Sequence, residues 1–565
     1  MKVNRVIQTY AVKITDEPFE LSNGKILNQT ARITFRDINK NIIEKKKYGV
    51  PELDDIYKKI NHGQSLELSN CYIKNFSLDN YRNIYKLKTD SHVELNNFIA
   101  VDSIFEADSV VDFSYAAFIG DKIDFSNSHF GHGNLTFYQS ICEDFNVDFS
   151  NTSYSEGNNS FQYTQFGKGN ITFENASFLN GNLSFINTSF NDGNVNFKNI
   201  NFGNGDVQFS YAKFGEGIIS FEKSIFNGLY IDFSKVEFGN GKLDFRRVDF
   251  GNAEVNFSEI EHAGKEKVSF RRAKFGDRSI NFEEAIFGDV DVQFDEAEFK
   301  SGKISLLNAR AKSFSFSKCI LSNYLDLRVY RCQFIDLSNS IIRDIIDLKP
   351  GIAPVNIKRL YIQNIRIVGK IFISWKENKV YNLIANQSET SYKEKADQFR
   401  ILKEDFRNSG DYNDEDKAYV QFKRYELKQL SQKLGLEKIV KFFGRVSDEE
   451  LASLYGNSLV FTHLVKDAPF GMQVVEAMAA GTAVISWKPG GPEESIAQNE
   501  TGFLIPQFNH DELIKHIELF LDTPNLSIEM GQKARTRSEK LFKSSDIYNQ
   551  IRNHMITTIQ NKSKK

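Results

Sequence analysis

The chain has 565 residues, a formal net charge of −3 at pH 7 and 41% hydrophobic residues. This length predicts two or more domains with hydrophobic cores, and the small net charge gives no general indication of nucleic-acid binding. The N-terminus lacks an apolar signal core, and no stretch is long enough to span a bilayer. The four cysteines, Cys71, Cys142, Cys319 and Cys332, have no metal-binding spacing. We therefore expect a cytoplasmic protein with reduced thiols and no membrane span.

Residues 1–65 combine strand-like alternation with a predicted short helix from Pro51 to His62. Proline suits the start of a helix, and Gly63 directly follows its end. We expect this segment to cap the repeat region that follows. The first unit of that region would otherwise expose its strand edges and its core.

The repeat region is built on a phenylalanine that recurs every twelve residues from Phe113 to Phe257, and again from Phe270 to Phe294 after one inserted residue. A second large residue, usually phenylalanine, follows five positions after each of them. So strict a period indicates a repeat architecture. The first column consists of Phe113, Phe125, Phe137, Phe149, Phe161, Phe173, Phe185, Phe197, Phe209, Phe221, Phe233, Phe245, Phe257, Phe270, Phe282 and Phe294.

Each twelve-residue unit holds two short extended segments. In the segment Ile171–Phe178 the apolar residues lie two apart, and such residues share a face only in an extended chain. Glycines as in Phe202-Gly-Asn-Gly mark corners. Two units would form a four-sided coil of 24 residues, and stacking at about 4.8 Å per coil would give a rod about 38 Å long. A coil of twelve residues is the alternative, but it leaves little room for paired phenylalanine rings.

The segment Ile335-Asp-Leu-Ser-Asn339 and the five-residue spacing from Leu327 to Ile342 resemble the pentapeptide-repeat family. The twelve-residue region looks like a variant of that family. The resemblance implies a right-handed parallel β-helix, a solenoid that we assign to residues 66–385. It implies little about activity, and the phenylalanine columns are interpreted as core.

The solenoid is predicted to be acidic, with 29 acidic and 16 basic residues between Asp108 and Lys300. Some acidic pentapeptide-repeat proteins imitate DNA. Here Arg246, Arg247, Arg271 and Arg272 interrupt the acidic surface. We therefore interpret the charges as a solvated outer face and expect no nucleic-acid partner.

After the repeats, two strands are predicted near residues 369–375 and 379–385. A two-helix linker is predicted over residues 386–434, with helices from Ser391 to Asn408 and from Asp414 to Leu434. From about residue 435 the pattern alternates strand and helix, which is typical of a parallel α/β sheet with sites at the carboxyl ends of its strands. The predicted strands are Val440–Gly444, Leu459–Leu464, Thr482–Trp487 and Gly502–Ile505, with helices between them and on to the C-terminus.

Five C-terminal motifs together resemble the retaining GT-B glycosyltransferases of the glycogen-synthase-like and mannosyltransferase-like group. They are Val440-Lys-Phe-Phe-Gly-Arg-Val446, Phe470–Gly481, Val484–Ser486, Gly490–Glu494 and Thr501–Leu504. The resemblance covers about a quarter of the chain. It implies a partial, Rossmann-like donor-binding domain at residues 435–565. Its ligand would be a nucleotide sugar used as donor substrate, with no cofactor and no metal.

The resemblance also implies a set of site residues, while the catalytic residues stay unknown. The helix after Phe470-Gly471 would present free N–H groups and its positive end to a diphosphate. Glu476 would accept hydrogen bonds from the ribose hydroxyls, and a glycine pair would let the backbone approach the donor. Seen alone, such a pair could equally be only a turn. The implied nucleotide-sugar-binding residues are Phe470, Gly471, Met472, Glu476, Gly490, Gly491 and Glu494.

Two departures from the family bear on activity. The family has an acidic residue eight positions before the ribose-binding glutamate, and this chain has Ala468 there, next to Asp467. We also find no counterpart for the acceptor domain, or for the first two donor-domain strands with their diphosphate-neutralising Arg and Lys. We predict a glycosyltransferase-family protein without appreciable transferase activity as a single chain, with a protein partner or a missing glycosyltransferase half as a possible complement. The alternatives are a non-enzymatic solenoid scaffold and a recombined gene, each with a relict glycosyltransferase tail.

Overall fold

A computed structural model describes residues 7–351, 355–444 and 446–543. The chain divides into two compact units, Met1–Gly435 and Leu436–Lys565. In the described part, the helices of the first unit are α1 (Leu53–Asn61), α2 (Leu78–Ile84), α3 (Val380–Ala385), α4 (Tyr392–Ser409) and α5 (Tyr412–Lys433). Those of the second unit are α6 (Asp448–Gly456), α7 (Met472–Ala479), α8 (Pro492–Ser495), α9 (His510–Asp522) and α10 (Pro524–Phe542).

The first unit begins with a small antiparallel sheet. Strand Gln29–Arg36 lies between Thr9–Thr15 and Ile42–Val50, and a separate hairpin pairs Phe19–Glu20 with Ile26–Leu27. The inner face of the sheet packs against the first turns of the repeat region, in a cluster formed by Ala31, Ile33, Phe35, Tyr48, Tyr72 and Ile104. Helix α1 matches the predicted helix closely and joins the main core through Ile56, Tyr57 and Ile60.

Many short parallel strands, arranged in long sheets, form the rest of the first unit. Among the described residues, one sheet contains the twelve strands Val110–Asp112, Asn134–Thr136, Asn159–Ser160, Leu183–Ser184, Val207–Gln208, Tyr230–Asp232, Glu254–Asn256, Ile280–Asn281, Ile304–Ser305, Leu325–Asp326, Ile345–Asp347 and Lys370–Phe372. A second contains Leu66–Glu67, Val93–Ile99, Ala116–Asp124, Ile141–Cys142, Val147–Asp148, Ile171–Thr172, Val195–Asn196, Ile219–Ser220, Leu243–Asp244, Val268–Ser269, Asp291–Gln293, Ser313–Ser315, Cys332–Asp336 and Ile357–Tyr361.

Two shorter parallel sheets complete the strands of this region. One contains Tyr72–Lys74, Ile104–Glu106, His129–Phe130, Ser153–Tyr154 and Ser177–Phe178. The other contains Lys274–Phe275, Glu298–Phe299, Ile320–Leu321, Ile341–Ile342 and Arg366–Ile367.

The register of the parallel pairs follows the 24-residue coil. In the first long sheet Val111 pairs with Leu135, and in the second Ile123 pairs with Val147. Isolated bridges repeat the same offset elsewhere, as between Gln165 and its partner Ser189. These offsets exclude the twelve-residue coil and are consistent with a four-sided solenoid. The right hand of the coil, its closure and its relation to pentapeptide repeats stay predictions.

The core of the repeat region consists of stacked phenylalanine rings. Phe209 is fully buried and lies parallel to Phe185 and Phe233, with ring centroids 4.7 and 4.9 Å away. Phe197 and Phe221, which follow strands of the second long sheet, meet it edge to face at 5.5 and 5.6 Å. Phe209 therefore makes both of the arrangements that aromatic pairs prefer.

Helices α3 to α5 pack on the last coil of the first unit. Polar side chains from α4 and α5 accept hydrogen bonds from main-chain N–H groups there: Gln398 from Ile362 at 3.1 Å and Asp414 from Trp375 at 3.0 Å. The end of the solenoid is thereby capped, which satisfies backbone groups that burial would otherwise leave unpaired. The predicted strand near 379–385 is wrong. That segment is α3, whose buried residues Val380, Leu383 and Ile384 follow a helical period.

The second unit contains a parallel sheet in the order Phe461–His463, Val484–Lys488, Gly502–Pro506. The predicted strand Val440–Gly444 is wrong. The structure shows no strand there, and Phe443 is exposed. An extended segment becomes a strand only when a neighbour accepts its hydrogen bonds, and the described residues offer it none. The predicted helices beyond residue 543 lie outside the described residues. Within the described ranges, we find no helix with the length and apolar character needed to cross a membrane.

Candidate functional site

The candidate site lies in the second unit, where α7 begins at the carboxyl-terminal edge of the sheet. Gly471 is the N-cap of α7 and adopts φ +79°, a conformation that favours glycine. No side chain caps this helix. By contrast, the Ser447 hydroxyl caps α6 by accepting from the Glu450 N–H at 3.2 Å. The first N–H groups of α7 are therefore left without a side-chain acceptor.

The glycine pair brings a second loop against the start of α7. The Gly491 N–H donates to the Ala468 carbonyl at 2.7 Å, and Gly490 has φ +151°. A Cβ atom on Gly491 would overlap the Phe470 Cα and the Pro469 carbonyl oxygen. Close packing of two backbones thus requires glycine at position 491. The structure therefore brings Phe470, Gly471, Gly490 and Gly491 together.

The other three predicted residues lie on helices at this end of the unit. Met472 is the first residue of α7 and is largely exposed. Glu476 lies one turn further along the same helix, also exposed. Glu494 is exposed on α8, where its main-chain carbonyl accepts from the Arg537 guanidinium at 3.3 Å. The contacts of Glu494 thus connect it to α10 rather than to α7.

Glu476 has a partner that the sequence did not indicate. It interacts with the hydroxyl of Tyr455 on α6, and burial together with this carboxylate raises the pKa of Tyr455. The Tyr455 ring packs edge to face on Phe461, with centroids 5.2 Å apart. The Glu476 carboxylate therefore lies near a neutral phenol on the adjacent helix. No motif links these residues, because their contact depends on how α6 packs against α7.

A buried histidine lies next to the start of α7. His463 ends its strand, and its Nδ1 lies 3.3 Å from the Ser486 hydroxyl on the neighbouring strand. Burial lowers the pKa of His463, so the ring is neutral near pH 7. A Cβ on Gly471 would lie 3.4 Å from the His463 ring. A polar residue at the end of a buried strand was the only sequence signal for it.

Two lysines supply positive charge near the glycine loops. Lys488 ends the middle strand, two residues before Gly490, and is exposed. Lys466 is also exposed and lies 3.9 Å from Asp467, whose carboxylate accepts from the Gln507 amide at 3.0 Å. The sequence analysis predicted no counterpart of the family's diphosphate-neutralising Arg and Lys, and neither of these lysines was among the predicted site residues. Within the described residues, no group of three His, Cys, Asp or Glu side chains is placed to hold a metal ion.

Comparison with known proteins agrees with the C-terminal motifs. The family model described as "Glycosyl transferases group 1" matches residues 421–537. The D-inositol 3-phosphate glycosyltransferase of Streptomyces avermitilis is 32% identical over 113 residues, which cover 20% of this chain and 24% of the relative. The GDP-Man:Man(3)GlcNAc(2)-PP-Dol alpha-1,2-mannosyltransferase of Dictyostelium discoideum is 33% identical over 127 residues, covering 22% of this chain and 25% of the relative.

Among solved structures, the sucrose-phosphate synthase of Thermosynechococcus elongatus is 29% identical and covers 25% of this chain and 35% of its own, with a TM-score of 0.24. The chain spans about a quarter of the length of the curated relatives named above. Its C-terminal part thus carries a glycosyltransferase group 1 domain with glycosyltransferase relatives.

Proposed function

We propose that the C-terminal unit is the donor-binding part of a retaining GT-B glycosyltransferase and binds a nucleotide sugar. The observation that carries this proposal is the cradle formed by the start of α7 and the Gly490–Gly491 loop. Both meet at the carboxyl-terminal edge of a parallel sheet, where open α/β sheets bind their ligands. The comparisons support the class of protein.

The cradle has the chemistry that a diphosphate needs. The uncapped N–H groups of α7 and the positive end of its dipole attract an anion. Lys466 and Lys488 add positive charge on the bordering loops. The exposed carboxylate of Glu476 can accept hydrogen bonds from both ribose hydroxyls. Phe470, Met472 and Glu494 complete the proposed set of contacts.

The donor is proposed to be a hexose carried on a nucleoside diphosphate. The mannosyltransferase relative is named for GDP-Man, which is a property of that protein. The proposed contacts are to the diphosphate and the ribose, which UDP- and GDP-sugars have in common. UDP- and GDP-sugars are therefore both candidates.

We further propose that the single chain does not transfer the sugar. Ala468, at the position where the family has a carboxylate facing the sugar, is buried and uncharged. In the described part of the chain, the strand Phe461–His463 pairs on one side only. Its open edge is where a strand of a partner, such as the missing glycosyltransferase half, would pair. Removing one preorganised electrostatic contact typically lowers a rate about 10²–10³-fold, so several missing contacts would suppress transfer.

Calorimetric titration of the full chain with UDP-glucose and GDP-mannose tests donor binding. We expect one of them to bind, and Glu476→Ala to weaken that binding at least tenfold, about the 1.4 kcal/mol of a lost charge-assisted hydrogen bond. Lys488→Ala should weaken binding too, because it removes positive charge beside the diphosphate.

Glu493→Ala is the matched control, since Glu493 is an exposed acid one residue from Glu494 on the same short helix. We expect it to bind like the wild type. Equal affinity of the wild type and Glu476→Ala would remove Glu476 from the site. Absence of binding to both nucleotide sugars would overturn the proposed function.

A further inference from the structure

One corner of the solenoid is uncharged over three successive coils. It consists of residues 134–142, 158–166 and 182–190. Each of these segments includes a strand of the twelve-stranded sheet and continues past the end of that strand. None of these 27 positions is Asp, Glu, Lys or Arg, whereas the matching segment 230–238 has three charged residues. Because the coils stack in a 24-residue register, the three segments lie side by side and form one continuous neutral surface.

Tyrosines form a ridge along this corner. The rings of Tyr115, Tyr138 and Tyr163 meet edge to face, with centroids 5.9 and 5.7 Å apart in successive coils. Tyr163 has φ +58° and is 44% exposed. In the described structure the hydroxyls of Tyr138 and Tyr163 bond to no protein group. We call Tyr115, Tyr138 and Tyr163 the tyrosine ridge.

Neutral hydrogen-bonding groups flank the ridge. The Gln162 amide donates to the Ser184 hydroxyl at 2.9 Å, linking two coils. Gln165 and Asn187 present further amides in the same coils, and both are exposed. Around Tyr138 and Tyr163 the surface thus combines aromatic faces with amides and hydroxyls and carries no charge. At the Tyr115 end of the ridge, the Arg82 guanidinium lies 5.6 Å from the centroid of the Tyr115 ring.

We propose that the tyrosine ridge binds a neutral glycan chain lying along the solenoid axis. The C–H face of a sugar ring is apolar and can stack on tyrosine, while its hydroxyls can exchange hydrogen bonds with the flanking amides. Exposed tyrosine combined with Ser, Asn and Gln gives rigid contact area with adaptable hydrogen bonding. A neutral ligand matches a surface without charge, and a polyanion would gain nothing from it.

The repeat also suits the shape of such a ligand. Solenoids present extended surfaces with one equivalent position in each coil. Each coil advances about 4.8 Å, a step comparable with one sugar residue of an extended glycan. Binding of the glycan to the ridge does not depend on the proposed function.

The repeat itself provides substitutions that keep the coil intact. Asn187 occupies the position of Tyr163 one coil later, with φ +55° against +58°. Ser210 occupies the position of Tyr138 three coils later, directly after a core phenylalanine in both cases. The double variant Tyr138→Ser/Tyr163→Asn should therefore melt like the wild type. Tyr412→Ala is the control, because Tyr412 is a 69% exposed tyrosine on α5.

The test uses the full chain with maltohexaose, cellohexaose and mannohexaose, measured by saturation-transfer NMR and calorimetry. We expect at least one of them to bind and the double variant to weaken that binding about tenfold or more, since two aromatic contacts are lost. Tyr412→Ala should bind as the wild type does.

The outcomes separate this proposal from the donor site. Glu476→Ala should leave oligosaccharide binding unchanged, even if nucleotide-sugar binding fails altogether. Absence of binding to all three oligosaccharides would overturn the proposal. So would equal binding by the folded double variant, or loss of oligosaccharide binding in Glu476→Ala.

Discussion

At the scale of single residues, the stacked phenylalanines define the stability of the first unit. Phe209→Ala should lower the free energy of unfolding by about 3–5 kcal/mol, because it opens a cavity between rings that are stacked above and below. Thermal melting monitored by circular dichroism measures the loss of stability. Tyr211→Asn, at an exposed corner two residues away, is the control and should change little. A melt of Phe209→Ala within error of the wild type would contradict the core assignment.

Gly491 is the residue on which the geometry of the cradle depends. In Gly491→Ala the new methyl group would overlap the backbone at Pro469 and Phe470, so one loop must move. We expect the second unit to become less stable by about 1–3 kcal/mol, a range typical of overpacking. Gly456→Ala is the control, because a Cβ there would meet only the Ala480 carbonyl at 3.7 Å. Equal destabilisation by both substitutions, in limited proteolysis or melting, would remove the special role of Gly491.

At the scale of elements, the end cap made by α4 contains a buried carboxyl group. Asp405 accepts weakly from the Ile371 N–H at 3.4 Å, and its other oxygen is buried without a hydrogen-bond partner in the described structure. Burial raises the pKa of Asp405 to about 6. Between about pH 4 and 6 the folded state therefore keeps a proton that the unfolded state releases. Stability falls as the pH rises through this window.

Asp405→Asn should remove that pH dependence. At pH 7.5 the variant should be more stable than the wild type by on the order of 2–3 kcal/mol, and the difference should shrink towards pH 4.5. Denaturant unfolding at the two pH values measures it. Asp416→Asn, which changes an exposed acid on α5, serves as the control. A difference between wild type and Asp405→Asn that does not change with pH would contradict the assignment.

The strands of the repeat could be predicted because each coil carries its own pattern. Apolar residues two apart and a twelve-residue period were enough for the segments, and Phe pairing favoured the 24-residue register. The non-glycine corners were not predicted. Asn151, Asn175 and Asn199 adopt positive φ in successive coils, which asparagine tolerates better than most residues. Glycine is thus only one of the corner residues.

The second unit shows where local pattern fails. Val440–Phe443 has the composition of a strand, yet pairing needs a neighbour that the pattern cannot supply. The helices α6 and α7 were predictable from a capping box and an apolar period. The contact of Glu476 with Tyr455, and the placement of Lys488 beside Gly490, depend on packing between elements. The motifs singled out the glycines of the cradle, but the packing of the two loops and the surrounding side chains were not predicted.

At the scale of the whole molecule, the chain joins two units whose cores are built in different ways. The first is stabilised by the stacking of its repeats, because each coil buries the apolar face of the next. The second has smaller clusters and an open strand edge at Phe461–His463 in the described part. A unit that keeps part of a donor site can bind a ligand without completing a reaction. Transfer needs donor, acceptor and diphosphate stabilisation held together.

The most direct test of a donor site without a complete transferase is a radiolabelled-donor assay on the purified full chain. The donor found by titration is incubated with a cell-extract pool of acceptors. We predict donor binding by the wild type and no labelled product above the level of the Glu476→Ala variant. Labelled product that forms with the wild type and disappears with Glu476→Ala would show that the chain is a working enzyme, and would contradict the account.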